Sequence, residues 1–328
     1  MTEPAAAVSF VSEFSPEIPF WPQLPNISEW ERIIGQGLTV IRDLIEPRKA
    51  GYGYQVKPGK LTEVVDRFWT GGGELEQFHA SGFYSFARSK LSVDFPKAIA
   101  VKGQIEGPIT LASHLFHGDR SFAGERTLFE AVAEHVSHLV SWQSRRLASL
   151  GLPVLLFIDE PGLCIAGLLS PSQREDTLMN GLQAAIQSGR ASGAVVGLHC
   201  CASQPFSRMC RSEPDILSFD AHSELEAFAA DPDVRGFFRK GGNIAFGLIP
   251  TLRRLDGLSG TQIFARWLKA AEALGDPIEV ARRSFVTATC GLGLLGPEAA
   301  EASFRLCRVV ADLIGRLAGK TWESHILQ

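Results

Sequence analysis

Short, nearly continuous apolar runs alternate along the chain with longer stretches whose apolar residues recur at helical spacing. The runs Ala98–Gln104, Pro153–Ile158, Ala194–Leu198, Asp215–Phe219, Asn243–Leu248 and Ser284–Thr289 read as strands covered on both faces, as in a parallel sheet. Between and after them, Glu125–Leu150, Gln173–Ser188, Thr261–Leu274 and Pro297–Leu317 read as amphipathic helices. This βα alternation runs without a linker or repeat and predicts one α/β domain over 1–328, a single (β/α)8 TIM-type barrel. An open doubly wound sheet is the alternative. The polar residues favour the barrel. Asp159, His199, Asp220 and Cys290 each fall at the carboxyl end of a predicted strand, and a barrel gathers such ends at one mouth.

His199-Cys200-Cys201, with Cys290 far downstream, is the strongest chemical signal. On an extended segment residues i and i+2 share a side, so His199 and Cys201 can grip one metal ion while Cys200 points away. Cys290 offers a third ligand and Asp220 a hard fourth, which together make a tetrahedral zinc set. The plainer reading is buried structural cysteines beside a core histidine. That plainer reading is the one given to Cys164, Cys210 and Cys307.

Asp159 follows four apolar residues, Leu155–Ile158, where an ion is costly unless a cation meets it. It suits the ammonium group of an amino-acid substrate; equally, it suits a cap on the next helix, worth about 1 kcal/mol. Gly291-Leu292-Gly293-Leu294-Leu295-Gly296 has the form of a dinucleotide fingerprint, with Asp312 near the spacing for a ribose acid. Too few residues follow for the strands of such a unit, so the glycines read instead as a tight turn that faces Cys290 to the mouth. Gly59-Lys60 lacks the other residues of a P-loop.

Composition narrows the classes. Hydrophobic residues are 45% and charged residues 21%, which excludes a disordered or fibrous chain. Lys and Arg number 32 against 36 Asp and Glu, net charge −4, with no basic block, so a nucleic-acid partner is not expected. No apolar run nears the ~20 residues of a spanning helix, and Met1–Ala7 lacks the features of a signal peptide. No membrane association and a cytoplasmic location are expected. Six cysteines then read as thiols or ligands rather than disulfides.

Several stretches, in order, resemble the C-terminal catalytic domain of cobalamin-independent methionine synthase. They are Val101-Lys102-Gly103-Gln104 with Gly107-Pro108-Ile109-Thr110; Leu156-Phe157-Ile158-Asp159-Glu160-Pro161; His199-Cys200-Cys201; Ala245-Phe246-Gly247-Leu248-Ile249-Pro250-Thr251; and Thr289-Cys290-Gly291-Leu292-Gly293. That family is a zinc-dependent (β/α)8 barrel related to uroporphyrinogen decarboxylase and corrinoid methyltransferases. The resemblance implies that His199, Cys201 and Cys290 hold zinc and that Asp159 binds the homocysteine amino group. It also implies transfer of a methyl group to the homocysteine thiol, forming methionine.

Three departures qualify what is implied. The family's N-terminal half has no counterpart, which points to the stand-alone core form. Its donor would be methylcobalamin or a methylated corrinoid protein, rather than methyltetrahydrofolate. The family's fourth ligand is Glu, whereas Asp220 stands at the matching strand end, with Glu224 the fallback. The family's first strand, with its Ile-Gly-Ser turn, is missing ahead of the helix expected over Ala5–Glu13. Ile18–Gln23 resembles its second strand, with Gln23 a substrate contact, so either coding sequence lies further upstream or the barrel lacks a strand. The alternative readings are a corrinoid-dependent methyltransferase using another thiol such as coenzyme M, and a uroporphyrinogen-decarboxylase-like protein.

Overall fold

In a computed structural model of the protein, residues 1–49, 51–166, 172–203, 206–251, 255 and 257–319 are described. Among them are ten strands: β1 (Ile45–Pro47), β2 (Tyr54–Val56), β3 (Val101–Glu106), β4 (Leu115–His117), β5 (Arg120–Ser121), β6 (Val154–Asp159), β7 (Ala194–Cys200), β8 (Ile216–Phe219), β9 (Asn243–Ile249) and β10 (Ser284–Ala288). The chain forms two compact units, Met1–His199 and Cys200–Gln328.

In the first unit β3, β6 and β7 pair in parallel, so that Glu106, Asp159 and His199 are register partners across the three strands. One face of these strands is closed by helices. A Cβ added at Gly103 would strike Gln143 and Leu147 of the helix Arg126–Ala148, and one at Gly189 of the helix Ser172–Ala191 would strike Val196. Val101, Ile105, Leu156, Ile158, Val196 and Leu198 therefore bury on that side, each at most 2% exposed. A second, smaller sheet orders β1-β2-β4-β5, its last two strands following the short helix Pro108–Ser113 after β3. Ile18–Gln23 makes one bridge, Phe20 to Lys102, rather than a ladder. Pro19 and Pro22 explain this, since neither has an N–H to donate.

In the second unit β8, β9 and β10 pair in parallel. Their core is aromatic: Phe219 stacks on Phe228 at 3.7 Å, and Phe246 meets both Phe219 and Trp267 edge-on. The helices Ala221–Ala230, Gly260–Leu274 and Pro297–Leu317 pack around these strands. Ser259 and Gln262 close the start of Gly260–Leu274 as a reciprocal capping box.

Three parallel strands in each unit, with helices between them, make this an α/β fold of the TIM-barrel type. Among the described residues it has six parallel strands rather than eight. Each strand and helix expected from the hydrophobic pattern is present within a few residues, the helix Pro4–Phe14 included, whereas the strand expected at Ile18–Gln23 is reduced to its single bridge. No helix among the described residues is long and apolar enough to cross a membrane.

Candidate functional site

Alternation along each strand sorts the side chains of the first unit onto two faces. The face away from Arg126–Ala148 carries three layers in register: Lys102, Leu155 and Val195; then Gln104, Phe157 and Gly197; then Glu106, Asp159 and His199. A Cβ at Gly197 would lie 2.5 Å from the Phe157 ring, so glycine there leaves room for that ring to lean across the layer. The outermost layer is wholly titratable. Glu106 is buried, 2% exposed, while Asp159 and His199 are part-buried. Glu106 also lies within electrostatic reach of Tyr52, whose ring meets His114 edge-on at 5.3 Å.

Asp159 and Glu160 are adjacent acids with separate placements. The Glu160 carboxylate accepts the N–H of Ile109 at 2.8 Å, the N–H of Thr110 at 2.7 Å and the Thr110 hydroxyl. It thereby satisfies the first turn of the helix Pro108–Ser113. Its own N–H donates to the carbonyl of His199 at 2.7 Å, and Gly107 N–H donates to the carbonyl of Asp159 at 2.8 Å. Glu160 thus ties the ends of β3, β6 and β7 together. Burial pushes its carboxyl up to about 7, against the opposing pull of those donors. Glu160 therefore caps a helix fifty residues upstream. Gln23 donates to Gln36 at 2.9 Å, and Gln36 donates in turn to the carbonyl of His79.

The second unit holds the cysteine pair. The Cys201 thiol is hydrogen-bonded to Cys290, and that bond, then burial, holds its proton well above the ordinary thiol range. Cys200, the last residue of β7, is buried, and Cys201 is exposed. Beside β10, the Thr251 N–H and hydroxyl each lie 3.2 Å from the Thr289 hydroxyl. Asp220 caps the helix Ala221–Ala230, its carboxylate accepting the N–H of Ser223 at 3.0 Å. Glu224 is part-buried in the first turn of that helix. Burial pushes the Cys210 and Cys307 thiols up to about 12, consistent with a structural role, whereas Cys164 is exposed. Gly291, Gly293 and Gly296 all avoid the left-handed region, so that loop does not depend on glycine's extra conformational freedom.

Two thiols in mutual contact are a suitable half of a site for zinc, a borderline-soft ion. Among the described residues no three His, Cys, Asp or Glu side chains are grouped to hold a metal ion. Lys102, Glu106 and Glu160 are the residues that the sequence reading missed. The signal was present: Lys102, Gln104 and Glu106 repeat at period two within an apolar segment, which marks a polar face.

Together these features define an α/β chain of TIM-barrel type with acids and histidine at its strand ends in one unit and a dithiol in the other. No family model matches the chain, and no curated protein matches it. Its structure matches 26 chains of solved structures. Among them is a methyltransferase from Methanosarcina mazei, with a TM-score of 0.56 and 16% identity over 96% of this chain and 86% of that one. At that identity the likeness establishes the fold.

Proposed function

We propose that the chain is a methyltransferase that moves a methyl group from a methylcorrinoid to the thiol of homocysteine, forming methionine. The observation that carries this reading is the Cys201–Cys290 thiol pair, a ready donor pair for zinc. His199, two residues before Cys201, is the expected third ligand, with Asp220 or Glu224 the fourth. A Glu224 ligand would leave Asp220 in its capping bond. Bound zinc supplies a Lewis acid that keeps a sulfur ligand ionised near neutral pH. The similar Methanosarcina mazei protein is itself a methyltransferase, which supports the same class of reaction on this fold.

In the first unit the chain binds and orients substrate. Asp159, part-buried at the end of β6, takes the ammonium group of homocysteine. Glu160 holds the backbone of that strand end, so Asp159 presents its carboxylate from a fixed position. A methylcorrinoid is favoured over methyltetrahydrofolate as donor because a departing Co(I) corrinoid needs no proton. A folate nitrogen does need one, and Glu160, the carboxyl held near neutrality, is buried and occupied by its donors.

Metal analysis of protein purified without chelators, followed by parallel assays, tests the proposal. About one zinc per chain and methionine formed from methylcobalamin plus homocysteine are expected. Methyl transfer to coenzyme M in preference to homocysteine would redirect the reading to another thiol. Absence of both zinc and methyl transfer would overturn it and favour the uroporphyrinogen-decarboxylase-like alternative.

A further inference from the structure

Lys102 has no part in the chemistry above, yet it occupies the same face of the first unit as Asp159. Its ammonium group donates to Gln104 Oε1 at 3.1 Å and lies 5.0 Å from the Phe157 ring centroid and 5.9 Å from that of Phe20. An ammonium group has three N–H donors; among the described residues Gln104 engages one of them, and none of the ion pairs formed includes Lys102. A part-buried cation flanked by aromatic rings is costly to keep without an anion. The two remaining donors match the two oxygens of a carboxylate.

The spacing is suitable. The bond to Gln104 brings the ammonium to the middle layer, two residues below Asp159, or about 7 Å at ~3.3 Å per residue. An α-amino acid with a hydrogen bond of ~2.8 Å at each end covers that gap. The fields agree too: burial draws the Lys102 ammonium below its ordinary range, and the negative charge of Asp159 opposes that shift.

We propose that Lys102 is the carboxylate anchor of an amino-acid site whose ammonium anchor is Asp159, so that the first unit selects zwitterionic amino-acid thiols. This deepens the homocysteine reading and rests on it. Three thiols separate the contributions: homocysteine, 3-aminopropane-1-thiol, which lacks the carboxylate, and 4-sulfanylbutanoate, which lacks the amine. Calorimetric titration of the intact chain should show homocysteine binding at least tenfold more tightly than 3-aminopropane-1-thiol. Lys102→Met should weaken homocysteine and 4-sulfanylbutanoate by tenfold or more and leave 3-aminopropane-1-thiol unchanged, and Lys102→Arg should restore part of the loss.

Equal wild-type affinity for homocysteine and 3-aminopropane-1-thiol would overturn the anchor without any variant. So would a Lys102→Met chain that weakens all three thiols alike, which is the mark of a structural role. A wild-type chain that binds none of the three removes the homocysteine reading, and the anchor with it.

Discussion

His135 sets an acid limit on stability that can be worked from the structure. It lies in the helix Arg126–Ala148, 2% exposed, with its ring 4.9 Å from that of Phe68 and Nε2 2.8 Å from the carbonyl oxygen of Gly37. A carbonyl accepts, so Nε2 carries a proton, while Nδ1 is buried without a hydrogen-bond partner and needs none. Burial is the main cause that lowers its pKa, to about 4 from 6.5. Because the folded value lies below the unfolded one, the unfolded chain takes the proton first as the pH falls. The stability from neutral His135 is therefore fully present above about 6.5 and is lost progressively down to about 4. At ~1.4 kcal/mol per pH unit the window is worth about 3 kcal/mol.

His135→Gln places a non-titrating amide N–H where Nε2 sits and keeps a donor for Gly37. Urea denaturation at pH 7, 5.5 and 4 should show the variant less stable than the wild type at pH 7 by about 1 kcal/mol, the cost of imperfect packing. That deficit should shrink and reverse by pH 4. Wild-type and variant stabilities that fall in parallel with pH would refute the reasoning.

Three further outcomes are expected. Cys201→Ser or Cys290→Ser should lose most of the bound zinc while Cys200→Ser keeps it, as measured by metal analysis; equal loss from Cys200→Ser would place the ligands on the wrong side of the strand. Asp159→Asn should weaken homocysteine binding by about 1.5–3 kcal/mol in calorimetry while zinc content is unchanged. Glu160→Ala should destabilise folding by about 1–3 kcal/mol for each buried donor left unpaired, because the N–H groups of Ile109 and Thr110 lose their acceptor, and urea midpoints check it.

The α/β alternation was legible because strands covered on both faces read as unbroken apolar runs, and β6 and β9 fall where those runs do. Polar positions were harder to place. The strand expected over Ala98–Gln104 continues to Glu106, whose charge at the end of an apolar run reads as a loop residue until its register with Asp159 is known. Ile18–Gln23 has strand-like composition, but its two prolines cost it the ladder. The small sheet β1-β2-β4-β5 is built from strands of two or three residues, too short to show any period.

Asp159 and Glu160 show why the site was only half legible. On sequence Asp159 suits either a ligand or a cap on the next helix, and nothing local marks Glu160 as the cap of a helix fifty residues away. The structure assigns the cap to Glu160 through the Ile109 and Thr110 N–H groups, and leaves Asp159 on the face that also carries Lys102. The chain thus supplies a cation near Asp159: Lys102 starts two layers below it along the strands, and the bond to Gln104 brings its ammonium one layer closer. Among the described residues Lys102 and Asp159 make no ion pair within 4 Å, yet the Asp159 charge reaches the ammonium, so a gap separates the two groups. A gap of that kind is filled more favourably by a molecule carrying both opposite charges than by either side chain reaching across it.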